Sequence, residues 1–343
     1  MEPLTHFLTG ACLSRAGLNR KTGLATLTLV LASEMPDVDI VSAFGGSVSY
    51  FQHHRGITHT LLGAPFVAAG TVAIVYGIYR LLLARGRKPK LPPAWLRLYL
   101  YAVFAILIHI FLDFTNSYGV RPFAPFSWKW YSWDLLFILD PVLLGILLLA
   151  VFAPALFGLI SEEIGERKTP RGRGAAIFAL LFFTAVIYFR DFEHRRAVNL
   201  LEQRTYGDEE PIRVSAYGTV LNPFEWQGVV ETRTSLRLMP VNPHAGEIDD
   251  YSARIWPKAE ETAVTHAAKE SRLGQVYLGW AQYPRVEADR LPDENWEVEF
   301  TDLRFYRLHD DHASQPLTAY AILNPKLKVI EMQIGGPKPD TSK

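Results

Sequence analysis

The sequence predicts an α-helical, multi-pass membrane domain of about four clear spans plus an N-terminal helical hairpin, followed by a β-rich α+β soluble domain. Three observations lead there. Residues 60–189 contain several long uncharged runs, residues 190–343 carry charge at an ordinary soluble density, and the later region alternates apolar and polar residues in short segments between proline, glycine and acidic turns. The chain has 343 residues, 49% of them apolar, with 35 basic and 35 acidic side chains, which is long enough for two domains. The expected division is a membrane-embedded helical domain at 1–190, a β-rich extracytoplasmic domain at 191–334 and a disordered tail at 335–343.

A span needs about 20 predominantly apolar residues. Thr60 to Tyr79 and Pro141 to Ile160 each supply such a run without charge, and Arg97 to Thr115 supplies a third that holds His109 and Asp113. Gly174 to Phe189 is a shorter fourth, which reaches across if Arg173 and Arg190 extend their heads to the interfaces. Leu4 to Ser14 and Gly23 to Ser33 are too short to cross alone and read as a helical hairpin joined by the basic turn RAGLNRK. Met1 to Leu8 has no positive n-region, so a cleaved signal peptide is not expected. The single cysteine, Cys12, excludes an intramolecular disulfide and reads as a small core residue.

Short basic loops stay on the cytoplasmic side, which puts Arg85 to Arg97 and Glu166 to Gly174 inside. Arg190, Arg195 and Arg196 run against this count. Alternation then brings His6, Asp37, Asp39, His53, His54, His59, His109 and Asp113 to the outer ends of their segments. Ionisable residues at membrane depth line cavities or pair with one another, so this collection points to a site. Trp128, Trp130, Tyr131 and Trp133 read as an interfacial aromatic belt, or as a lipid-facing wall beside an entrance.

His109 and Asp113 are four apart on a helix and project from one face, a spacing that suits two ligands of one metal. In SEMPDVDIV, Pro36 ends the preceding helix near Glu34. Asp37 and Asp39 then fall on one side of an extended segment, as metal-bridging or general-base carboxylates, with helix capping as the plainer role for one of them. In HHRGITH, Gly56 permits a sharp turn that could bring His54 and His59 together. Arg55 suits either an oxyanion or an ion pair with one of the aspartates. His6 and Asp140 are weaker candidates. The donors are nitrogen and oxygen without thiolate, which suits zinc first, with manganese or iron as alternatives, and their number leaves room for one or two ions. HExxH, GxSxG, the Walker loop and a Gly-rich dinucleotide turn are absent from the sequence. Metal-assisted hydrolysis is the chemical class left.

The order THFLTG, MPDVDIV, HHRGITHTLL, HIFLDFTNSYGVRPFAPFS and WYSWDLLFILDP resembles the YdjM-like family of membrane-bound, metal-dependent hydrolases over about residues 1–165. The resemblance implies a bacterial inner-membrane protein whose metal ligands, carried over motif by motif, are His6, Asp37, Asp39, His54, His59, His109 and Asp113. A looser similarity to zinc-dependent phospholipase C and related nucleases rests on an N-terminal His, an Asp and an HxxxD helix. The later HxxxE element of those proteins is missing here.

In the C-terminal region SLRLM, QVYLGW, WEVEF and LKVIEMQI read as strands, and PKAEETAVTHAAKESR as one helix opening at its proline. HDDH reads as a hydrophilic turn. The expectation is a multi-pass hydrolase with Asp37, Asp39 and Arg55 as catalytic groups, acting on an ester or phosphoester of a lipid or lipid-linked substrate in the bilayer, with no nucleic-acid partner. The competing classes are a metal-ion transporter or sensor, and an interaction protein with a structural metal. Thr60 to Tyr79 and Gly174 to Phe189 contain no ionisable relay group between their ends other than Tyr76 and Tyr188, which counts against transport.

Overall fold

The computed structural model describes residues 1–163, 172–306 and 317–335. These residues form two compact units. One comprises Met1–Asp39 and Arg55–Asp191, and the other comprises Ile40–His54 and the chain from Phe192 onward.

The first unit is helical. Helix α1 (Pro3–Arg15) starts with Pro3 in its first turn and Glu2 as the cap that accepts from the Thr5 N–H at 2.8 Å. It turns back through a short 3₁₀ segment, Leu18–Arg20, into α2 (Ala25–Glu34). Gly10 lets the two helices touch, because a Cβ there would lie 2.8 Å from the Leu29 carbonyl oxygen and 2.6 Å from Ser33 Oγ. The chain then continues as 3₁₀ helix over Met35–Gly45 and passes into α3 (Ser47–His53). It resumes the first unit at Arg55, followed by a 3₁₀ turn at Ile57–His59, α4 (Ala64–Ala84), α5 (Trp95–Phe114), α6 (Pro141–Glu163) and α7 (Arg173–Glu202), whose residues from Phe192 onward belong to the second unit. Leu29, Ala32, Ala68, Ala102, Ala105 and Ile106 form a buried apolar seam among α2, α4 and α5.

Three of the described helices, α4, α5 and α7, are long and apolar enough to cross a membrane. The described apolar part of α6 runs only over Pro141–Pro154, so four spans are not established. Helix α7 is 30 residues long, much longer than the apolar run Gly174 to Phe189 suggests. Asp140 lies outside α6 as its cap: Oδ1 accepts from the N–H groups of Val142 and Leu143, and Oδ2 meets Arg190 at 3.5 Å. In the aromatic run Trp128 is 52% exposed and Trp130, Tyr131 and Trp133 are half-buried. The Arg121 guanidinium lies over the rings of Trp128 and Trp130, and Trp133 donates from its indole to Asp191 at 3.0 Å.

In the second unit one antiparallel sheet has the order β1 (Arg213–Gly218), β2 (Trp226–Glu231), β3 (Ser235–Asn242), β4 (Glu247–Ile248), with β5 (Arg254–Pro257) also paired to β3. Val229 faces Ser215 on one side and Leu238 on the other in this ladder. Two helices follow, α8 (Ala263–Glu270) and α9 (Arg272–Trp280). The second sheet runs β6 (Pro284–Arg290), β7 (Trp296–Asp302), β8 (Ala319–Leu323), β9 (Val329–Ile334).

Two expectations are corrected here. QVYLGW is helix, not strand: Ser271 restarts the helix after α8, and Leu273, Tyr277 and Trp280, spaced four and three apart, are all buried. The helix before it opens at Ala263 under a Thr262 cap, while Pro257 ends β5. HDDH, most of the loop Glu166 to Gly174 and nearly all of the expected tail lie outside the described residues.

Candidate metal centre

His109 and Asp113 occupy one face of α5 near its C-terminal end, both almost fully buried. His59 ends the 3₁₀ turn that leads to α4, and Asp37 stands in the 3₁₀ segment after α2. The four groups present His59 Nε2, His109 Nε2, Asp37 Oδ1 and Asp113 Oδ2 to one point, with all these donor atoms within 4.8 Å of one another. His59 Nε2 lies 3.1 Å from His109 Nε2, 3.3 Å from Asp37 Oδ1 and 3.4 Å from Asp113 Oδ2. His109 Nε2 is 3.4 Å from Asp113 Oδ2 and 3.7 Å from Asp37 Oδ1. Four ligands in a tetrahedron at the ordinary zinc distances are separated by about 3.3–3.4 Å, and these spacings bracket that value.

The outward nitrogens of both rings are engaged. His109 Nδ1 lies 2.7 Å from the Ser33 carbonyl oxygen, which can only accept. His59 Nδ1 lies 3.3 Å from Asp39 Oδ2 and 3.1 Å from the Thr58 hydroxyl. His109 therefore carries its proton on Nδ1 and turns its Nε2 lone pair inward, and the Asp39 carboxylate beside His59 Nδ1 favours the same form there, the arrangement that orients a histidine for a metal. Two imidazole nitrogens and two carboxylate oxygens facing one another at these distances form a group that could hold a metal ion. Asp113 Oδ2 and both ring nitrogens of His6 are buried without a hydrogen-bond partner, which suits such a site. His6 stacks on His109 with ring centroids 3.7 Å apart and brings Nε2 to 3.4 Å from Asp113 Oδ1.

Arg55 closes the back of the cluster. Its side chain is 4% exposed. One terminal nitrogen donates to Asp113 Oδ1 at 2.7 Å, a carboxylate oxygen also met by the amino group of Met1. The other donates to the Gly119 carbonyl at 2.9 Å and to Asn116 Oδ1 at 3.2 Å, and the guanidinium lies over the Tyr118 ring. The turn NSYG after α5 builds this cradle. Gly119 adopts φ +84°, and a Cβ there would come within 2.8 Å of the Tyr131 carbonyl oxygen.

The family model described as YdjM inner membrane protein matches residues 1–197, more than half of the chain and all of this donor set. The chain belongs to the YdjM family. The uncharacterized protein YfhP of Bacillus subtilis (strain 168) is 27% identical over 317 residues, covering 89% of this chain and 87% of its own length. No solved structure matches.

Within this YdjM-family chain the expected ligands divide. Asp37, His59, His109 and Asp113 converge, and His6 lies against them. Asp37 and Asp39 are not on an extended segment. The 3₁₀ helix turns them to different positions, so Asp37 reaches His59 Nε2 while Asp39 reaches its Nδ1. Asp39 Oδ2 also accepts the Arg55 N–H at 2.7 Å, which ties it to the turn that holds His59. His54 stacks on Tyr50, and His53 Nδ1 is bonded to the Ser49 carbonyl. Arg55, expected free for an oxyanion, is instead committed to Asp113 and the NSYG turn. Ser33, Asn116, Tyr118 and Gly119 were missed as supports. Only the Asn-Ser-x-Gly turn signal directly after the HxxxD helix could have pointed to the last three, and no sequence signal marks a backbone carbonyl such as that of Ser33.

Proposed function

We propose that this chain is a membrane-embedded, divalent-metal-dependent hydrolase acting on an ester or phosphoester of an amphiphilic or lipid-linked substrate at the outer face of the bilayer. His59, His109, Asp37 and Asp113 would hold the ion, zinc by preference, with His6 beside them for a second ion or as an alternative donor. When bound, the ion supplies Lewis acidity, polarising the bond under attack and acidifying water. The observation that carries the reading is the set of four inward donors at 3.1–3.7 Å.

Asp37 is the donor open to an incoming molecule, with its side chain 24% exposed against 0–1% for His59, His109 and Asp113. It is therefore the residue that would accept a proton from attacking water, while Asp39 orients His59. Arg55 neutralises Asp113 and sets its orientation, acting on the substrate only through that carboxylate. Orientation toward the outer face rests on the positive-inside count, and a lipid substrate on the position of the donors at the outer ends of apolar helices.

A structural ion is the second reading, because four protein donors are enough to close a tetrahedral shell. Metal analysis of the purified protein tests the site. Wild type should carry stoichiometric metal, and His109→Ala and Asp113→Ala should lose it. If both kept their full content, the site would be wrong. Incubation with lipid and phosphoester panels then separates the readings. Hydrolysis that is metal-dependent and lost in a metal-loaded Asp37→Asn protein supports catalysis, whereas a metal-loaded wild type inert across the panels supports the structural ion.

A further inference from the structure

Between its two donor-bearing stretches the chain makes an excursion. It leaves the first unit after Asp39, contributes Ile40–His54 to the second unit, and returns at Arg55. The base of the excursion is closed within the first unit by the Arg55 N–H donating to Asp39 Oδ2 at 2.7 Å, the same oxygen that lies 3.3 Å from His59 Nδ1. Its far end is α3, built into the second unit. Phe51 is 4% exposed there, edge-on to Trp280 at 4.9 Å and stacked on Tyr277 at 6.0 Å. Gln52 accepts from Arg272 at 2.9 and 3.3 Å, and Ser47 Oγ accepts the Ile334 N–H at 3.1 Å. A helix of seven residues does not hold its shape alone in water, so these contacts with α9 and β9 are what fix it.

We infer that α3 is a positioning arm for the donor set. Its docking in the second unit fixes the conformation of the excursion and so the separation of its two ends, and through the continuous chain this sets where Asp37 and Asp39 stand relative to His59. Free, residues 40–54 would sample many conformations, and ordering the two donor stretches would have to offset that entropy on metal binding. Docked, the cost is met when the second unit folds, so the donors meet the ion preorganised. Arg55 carries the mark of such a constraint: at the return point it adopts φ +52°, a left-handed conformation that a non-glycine residue keeps only when its surroundings impose it. Phe51, eight positions before His59, is the anchor and a positioning residue with no contact to the ion.

This inference rests on the metal reading, and the test keeps the two apart. Full-length protein in detergent is stripped of metal and titrated with Co²⁺, reading both the affinity and the ligand-field absorption. Phe51→Ala should weaken Co²⁺ binding by roughly tenfold or more, the scale seen when a ligand's supporting group is lost, with an altered absorption band. Phe51→Leu should restore both. Val229→Ala, a core truncation in β2 of the same unit, should leave the affinity and band as in wild type. The coupling is overturned if Phe51→Ala binds like wild type, or if Val229→Ala weakens binding equally. A wild type that binds no Co²⁺ would sink the metal reading itself and the arm with it.

Discussion

At the residue scale, His59 is the pivot of the donor set, since one of its nitrogens faces the cluster and the other faces Asp39. A carboxylate on the far side of a ligating imidazole fixes its tautomer and raises its basicity. Asp39→Ala is therefore expected to weaken metal affinity by about 10–100-fold while leaving stoichiometry unchanged at saturating metal. Isothermal titration would show it, and an unchanged affinity would remove Asp39 from the site. The pair His109 and Asp113 was legible in the sequence because helical spacing is a local property, so four positions on one helix fix a shared face. The division of labour between Asp37 and Asp39 was not. A proline after a helix is compatible with extended chain or with continued 3₁₀ turns, and which one forms depends on what the segment packs against. The same holds for Arg55, whose role was decided by a cradle more than sixty positions further along the chain.

At the element scale, close approach and capping decide the geometry. Helices α1 and α2 meet at Gly10 with no space for a side chain. Gly10→Ala should cost about 1–3 kcal/mol through overpacking and displace His6 relative to α5. Thermal unfolding in detergent would register the loss, and an unshifted midpoint would mean that the hairpin can open there without penalty. In the second unit Ser271 joins two helices: its hydroxyl donates to the Ala268 carbonyl at 2.6 Å and accepts the Gly274 N–H at 3.1 Å. Ser271→Ala should destabilise the second unit by about 1 kcal/mol, measured as a shift of its denaturation midpoint. That junction also explains why QVYLGW was misread. Its alternation of large and small apolar residues fits a strand, and only the buried positions Leu273, Tyr277 and Trp280 reveal the helical period. SLRLM, WEVEF and most of LKVIEMQI lie in β3, β7 and β9, where the alternation of apolar and polar residues in the sequence, bounded by turn residues, marks the strand.

At the scale of the whole molecule, the proposed orientation in the membrane rests on the charge of the short loops. Positive-inside counting sets Arg85 to Arg97 in the cytoplasm and the chain after Phe189 outside. Reporter fusions in the loop after Gly86 and after Glu202 should read cytoplasmic and extracytoplasmic, respectively, and the reverse readout would invert the proposed face of the site. The sequence by itself determined the helical membrane half, the β-rich half and the shared helical face of His109 and Asp113. These depend on composition and short-range periodicity, which the chain carries at each position. The tertiary structure alone decided which donors meet, because His59, Asp37 and His109 come together only when segments far apart in the chain are packed. It also decided that residues 40–54, which lie between those donors in sequence, fold with the second unit. The large rings of Phe51, Tyr277 and Trp280 find their burial with one another there, and a contact between positions so distant leaves no local pattern to read.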